Sequence, residues 1–256
     1  MHLVQSGIEN GPPCVFIHGF GGTAEYWTPL IASAGLANTH SLCQFDFEGH
    51  GLSPTSPLSK ITIASLASDV KGLFNHLSIT SGATLFAHSM GCHVAIRFVL
   101  DNPNLVTKLI LLGPLPSPLP ETGRKGTYAR AASARTKGMA AVVDAMATGY
   151  TSAKTKSSNP LAVTAIRLSL LGQDPEGFAK AVSAFAEATE PLDFESIKVE
   201  TFIIAGSDDR VSSPALCEGY AARLSHARGV HVLPDVGHWH VFEDPKGVAN
   251  AVQAML

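Results

Sequence analysis

The sequence predicts an α/β domain: a mostly parallel sheet with helices on both faces and a helical block set into it late in the chain. Three observations predict it. Short apolar runs alternate with stretches of helical periodicity over most of the 256 residues. From 121 to 191 the strand signal gives way to an alanine-rich helical block, and strands then resume. Between Thr84 and Ala95 a buried strand passes into a helix through one sharp turn at Ser89.

The elements follow in chain order. His2 to Ser6 reads as a short first strand, Asn10-Gly11-Pro12-Pro13 as a turn, and Cys14 to Ile17 as a buried strand. A helix is expected over Ala24 to Ala34, interrupted at Pro29. His40 to Phe45 is the next strand, and Asp46 to Pro54 is a glycine-rich loop. Leu66, Val70, Leu73 and Leu77 give Ile63 to Leu77 helical spacing. After the turn at Ser89, a helix beginning near Gly91 runs to Asn102-Pro103, and Lys108 to Leu112 is a strand. Helices are expected near 123–136, 138–149, 160–171 and 175–188, the last opened by Asp174-Pro175-Glu176 with its acid at the cap. Strands return at Glu200 to Ala205 and Val230 to Leu233, and a helix runs from Pro245 to Leu256.

Composition narrows the function classes. Hydrophobic residues make up 45% and charged residues 15%, which suits a large core and argues against disorder. The net charge is −3 with no Lys/Arg block, so nucleic-acid binding has no electrostatic footprint. No apolar run approaches the roughly 20 residues needed to span a bilayer. The first residues lack a basic region followed by an apolar stretch, so no secretory signal is expected. Cys14, Cys43, Cys92 and Cys217 are scattered without C-x-x-C spacing and read as free thiols of a soluble, cytoplasmic protein.

Ser89 is the first residue with chemistry to offer. A serine on a sharp strand-to-helix turn needs small residues two before and two after it, and Ala87 and Gly91 supply them. The turn also puts the hydroxyl at a helix N-terminus, where developing negative charge is favoured. A nucleophilic serine needs a base, and the base needs an acid to orient it. Sites in parallel sheets collect at the carboxyl ends of the strands. Two later loops lie there: Gly206-Ser207-Asp208-Asp209 offers two acids and Gly237-His238-Trp239-His240 offers two imidazoles. His238 and His240 lack a third metal ligand at suitable spacing, so no metal is expected. His18 and His50 precede glycines in tight loops and read as structural hydrogen-bonders, and His93 reads as a packing or surface residue.

Five segments, His18-Gly19-Phe20-Gly21-Gly22, Asp46 to Ser53, Ala87-His88-Ser89-Met90-Gly91, Gly206 to Asp209 and Gly237-His238, together resemble the α/β-hydrolase family over essentially the whole chain. The resemblance implies an α/β-hydrolase core made of 1–120 and 192–256, with 121–191 as an inserted helical cap. It selects Asp209 as the acid, leaving Asp208 to the turn or to solvent, and His238 as the base. It further implies an oxyanion hole from the backbone N–H groups of Phe20 and Met90, and no cofactor. Relatives that carry aspartate in place of Ser89, the haloalkane dehalogenases and epoxide hydrolases, are disfavoured.

Within the cap, Tyr128 to Asp144 and Asp174 to Ala181 are similar to the cap of 3-oxoadipate enol-lactonases, which implies a lactone or small carboxylic ester as substrate. The chain departs from those enzymes at Thr148-Gly149-Tyr150-Thr151 and around His238. Basic residues crowd the cap between Arg124 and Lys156 and read either as a solvated helix face or as a binder of a substrate carboxylate. Tyr128, Arg130, Arg135 and Trp239 are the candidate pocket residues. Two other readings fit the same triad: hydrolysis of a carbon–carbon bond in a vinylogous diketone, and a small-molecule receptor built on a hydrolase fold.

Overall fold

The computed structural model describes residues 1–256. Seven strands form one sheet: β1 Leu3–Gly7, β2 Pro13–Ile17, β3 Ser41–Phe45, β4 Ala83–His88, β5 Val106–Leu112, β6 Glu200–Gly206 and β7 Ala227–Leu233. Their spatial order is β1-β3-β2-β4-β5-β6-β7. Only β1 runs antiparallel to its neighbour, with Gln5 opposite Cys43; every other pair is parallel. A parallel sheet must be covered on both faces, and buried clusters of 36 and 32 residues lie on its two sides. That double burial is why β4, Ala83-Thr84-Leu85-Phe86-Ala87-His88, is buried at every position instead of alternating.

The helices are α1 Thr28–Ala34, α2 Ile63–His76, α3 Met90–Asp101, α4 Glu121–Lys137, α5 Ala140–Gly149, α6 Ala153–Ser158, α7 Pro160–Leu171, α8 Pro175–Glu187, α9 Pro214–Ala221, α10 His240–Glu243 and α11 Pro245–Gln253. Pro29 does not interrupt a helix. It sits in the first turn of α1, after a short 3-10 turn over Ala24–Trp27, where its missing N–H costs nothing. The 63–77 helix carries a reciprocal cap: Thr62 Oγ1 accepts from the Ser65 N–H and Ser65 Oγ accepts from the Thr62 N–H. Asp174 caps α8 through the Gly177 N–H at 2.7 Å, in line with the Asp-Pro-Glu signal.

Three helices lay beyond the sequence reading. They are α6, α9 and the single turn α10, each shorter than the window of about 11 residues over which apolar periodicity can be read. The five helices α4 to α8 stand between β5 and β6, with α4 packed along α8 and α5 against α7. No helix is long and apolar enough to cross a membrane.

Candidate active site

Four strands deliver the candidate residues from their carboxyl ends. Phe20 follows β2, Ser89 follows β4, Asp209 follows β6 and His238 follows β7. Ser89 has φ 56° and ψ −123°, a conformation a side-chain-bearing residue adopts only when its surroundings hold it there. Two glycines make room. A Cβ on Gly91 would stand 2.6 Å from the carbonyl oxygens of Ile17 and His18, and one on Gly19 would stand 2.6 Å from Ser89 Cβ. The turn therefore fits only because the β2 loop and the start of α3 approach it backbone-first.

Ser89, His238 and Asp209 form one hydrogen-bonded line. His238 Nδ1 lies 2.7 Å from Asp209 Oδ2, and His238 Nε2 lies 2.9 Å from Ser89 Oγ. A carboxylate can only accept, so Nδ1 carries the proton and Nε2 is left to accept from the serine hydroxyl. The other carboxylate oxygen of Asp209, Oδ1, accepts the N–H groups of Val211 and Ser212, each at 2.8 Å. Burial pushes the Asp209 carboxyl up; His238, His240 and the Ser212 N–H more than offset this and hold it below the usual carboxylate range. Asp208 is exposed, donating its N–H to the Val236 carbonyl at 2.9 Å.

His238 is held by its own backbone. The His238 N–H donates to the Tyr150 carbonyl at 2.7 Å, and its carbonyl accepts from His88 Nε2 at 2.8 Å. Glu243, buried in α10, accepts from the N–H groups on either side of it, Gly237 and Trp239, each at 3.0 Å. His240 is buried, with Nε2 3.7 Å from Asp209 Oδ2 and no hydrogen bond at either ring nitrogen. Burial lowers its pKa to about 4, so its ring is neutral near pH 7. His18 binds its own loop, donating from Nδ1 to the Gly19 carbonyl at 2.9 Å and accepting the Phe47 N–H at Nε2. His50 lies against it and bonds the Glu48 carbonyl. His93 is a buried packing residue on α3.

Phe20 and Met90 flank the serine. The Phe20 N–H makes no hydrogen bond within the protein, and Met90, as the first residue of α3, has no acceptor inside its own helix. Both donors are free for an oxygen placed beside Ser89 Oγ.

A cavity of about 170 Å3 opens over Ser89 and His238. Phe20, Leu115, Leu119, Phe185 and Val211 contribute apolar wall, while Arg130, Tyr150 and Trp239 bring polar groups. Arg130 Nη2 donates to Tyr150 Oη at 2.6 Å, with its guanidinium 5.7 Å from the Tyr150 ring centre. No Asp or Glu lines the cavity, and no carboxylate pairs with Arg130. The Trp239 indole N–H is buried without an acceptor.

Two expected pocket residues do not reach this space. Tyr128 is 39% exposed and outside the cavity wall. Arg135 lies on the outer surface, bound to Glu176 through Nε at 2.7 Å and Nη2 at 3.2 Å. Helix geometry gives the reason. Gly123, Thr127 and Arg130 share the face of α4 that lines the cavity, and residues two or five positions from Arg130 point away from it. That spacing could have been read from the sequence. Phe185, Leu115, Leu119 and Glu243 carry no motif and emerge only from packing.

The family described as the alpha/beta hydrolase family matches residues 14–251. Over 257 aligned residues the chain is 25% identical to 3-oxoadipate enol-lactonase 2 of Acinetobacter baylyi, covering 100% of this chain and 92% of that one. A thermophilic esterase from Thermogutta terrifontis superposes with TM-score 0.91 at 26% identity, covering 99% of this chain and 92% of the esterase. The enol-lactonase from Burkholderia xenovorans LB400 superposes with TM-score 0.88 at 26% identity, covering 99% and 95%.

Proposed function

Because the chain belongs to the alpha/beta hydrolase family, we propose that it is a cofactor-independent serine hydrolase that opens a lactone or cleaves a small carboxylic ester. The observation that carries the reading is the continuous line from Ser89 Oγ through His238 to Asp209 at the floor of a walled cavity. His238 Nε2 takes the hydroxyl proton as Ser89 Oγ attacks the carbonyl carbon. The carbonyl oxygen becomes an oxyanion that accepts from the Phe20 and Met90 N–H groups, donors typically worth about 2.7–4 kcal/mol each. Asp209 holds the imidazole tautomer and stabilises the imidazolium.

When the tetrahedral adduct collapses, the ring or ester oxygen leaves with the proton from His238, and the acyl group stays on Ser89. Water then gives a proton to His238 and attacks the acyl carbon. The resulting adduct collapses, expelling Ser89 Oγ, which takes the proton from His238 as the carboxylic acid is released.

Arg130 refines the substrate class. A cation in a cavity wall without a carboxylate partner favours a substrate that brings its own, so a lactone or ester bearing a carboxylate fits best. Its likeness to two enol-lactonases supports the same class.

The test is Ser89→Ala against the native chain, using p-nitrophenyl butanoate, a panel of carboxylated and neutral lactones, and a fluorophosphonate probe. Turnover and labelling should both vanish in the variant. Labelling or hydrolysis that survives the substitution refutes the nucleophile assignment.

A further inference from the structure

We propose that Phe185 fixes the length of the acyl arm the protein accepts, by walling the Ser89 cavity off from a second, larger cleft directly behind it. The proposal rests on the hydrolase reading for the position of the acyl group.

Phe185 lies in the last turn of α8, 3% exposed, and lines the cavity above Ser89. One side of its ring meets Phe20 edge to face, with centroids 5.5 Å apart. It also meets the ring of His93, with centroids 4.7 Å apart and planes at 85°. His93 in turn lines a cleft of about 410 Å3 between the start of α2, the helix α3 and the chain leaving α8. Ala184, the neighbour of Phe185 on α8, and Leu192 line the same cleft. Consecutive residues of one helix thus face two spaces, and one aromatic layer separates them.

That layer is held mainly by ring packing, with the Pro116 backbone as the polar neighbour of His93. Both ring nitrogens of His93 are buried without a hydrogen bond, and burial lowers its pKa to about 4, which leaves the ring neutral near pH 7. Phe185 shares the cavity wall with Phe20, Arg130 and Tyr150. In this proposal the charged end of the substrate meets Arg130 and its apolar arm runs to Phe185, where the wall stops it. The native chain takes short acyl arms, and the cleft behind is the room a longer arm would need.

The experiment compares the native chain with Phe185→Ala and the milder Phe185→Leu, each checked for native folding by near-ultraviolet circular dichroism. Hydrolysis of p-nitrophenyl butanoate and decanoate is measured, together with calorimetric binding of butanoate and decanoate. The native chain should discriminate strongly against decanoate. In the alanine variant the decanoate-to-butanoate ratio of kcat/KM should rise by about 10-fold or more, the scale at which pocket volume discriminates among apolar groups. Decanoate binding should appear in that variant alone or most strongly there. A native chain that takes both esters equally, or folded variants whose ratio and binding stay unchanged, overturns the proposal. Calorimetry needs no turnover, so if no ester is hydrolysed the hydrolase reading falls while binding still decides the partition.

Discussion

Glu243 ties the backbone of Ser152 to the loop that carries His238. Its Oε2 accepts the Ser152 N–H at 2.9 Å and the Gly237 N–H at 3.0 Å, while Oε1 accepts the Trp239 N–H at 3.0 Å. One carboxylate thus serves three buried donors on two separated segments of chain. Glu243→Ala leaves all three unsatisfied and should cost at least about 3 kcal/mol of stability, read as a lower urea midpoint. The loosened base loop should also lower kcat by about 10²-fold with a smaller change in KM, since misplacement by about 1 Å has effects of that size. A variant as stable and active as the native chain would show that the clamp is dispensable.

Arg130 should discriminate by substrate charge. With Arg130→Gln, kcat/KM for a carboxylated lactone should fall at least about 30-fold, equivalent to about 2 kcal/mol for the loss of a half-buried charge partner. A neutral lactone of the same ring size should change much less. Equal losses on both would place Arg130 in a purely structural role, bracing Tyr150.

Acid should weaken the fold before it protonates Asp209. Burial lowers His18 to about 3 and His93 and His240 to about 4, and pushes His88 well below its ordinary value. In the unfolded chain these imidazoles take up protons near pH 6.5. Between that value and their folded values the unfolded state binds more protons, so stability is full above about pH 6.5 and declines as pH falls toward 4. Each contributes up to about 1.4 kcal/mol per pH unit in that window. Asp209, held below its ordinary range, adds a loss of the same sign only at lower pH. Urea unfolding at pH 7.5 and pH 5 should differ by at least about 3 kcal/mol. Equal values at the two pH values would contradict burial of neutral rings.

Gly91→Ala tests the turn at Ser89 through its space. The new methyl would meet the Ile17 and His18 carbonyl oxygens at 2.6 Å, and backbone cannot swing aside as a flexible side chain can. The β2 loop bearing Phe20 must move, so fluorophosphonate labelling of Ser89 should slow by about 10² or more, the scale of losing one oxyanion donor. Alanine at Gly72, where a Cβ meets nothing within 4 Å, is the control and should leave labelling unchanged.

The loops bearing Ser89, Asp209 and His238 were legible because each follows a strand, but position and chemistry left Asp208 and His240 open, and only the family resemblance chose between them. The sheet was legible for a related reason: strands buried on both faces carry consecutive apolar residues instead of alternation, as Leu85 to Ala87 in β4 and Phe202 to Ala205 in β6 do. The cap's wall was harder. Composition singled out basic residues but said nothing about their direction, so Arg130, which faces the cavity, was grouped with Arg135, which faces Glu176. Only the angular position of each residue on α4 separates them. Glu243 and Phe185 act through partners 91 and 165 residues away, Ser152 and Phe20, and no local pattern encodes such a meeting.

The sheet order carries a kinetic consequence. Phe20, Ser89, Asp209 and His238 hang from β2, β4, β6 and β7, which lie side by side with only β5 between them, though they are scattered along the chain. A register error in any one parallel pairing would displace a whole loop and silence the site. Catalysis is therefore a reporter of the finished sheet: during refolding, turnover should return no sooner than the slowest long-range strand pairing, well after helical signal has recovered.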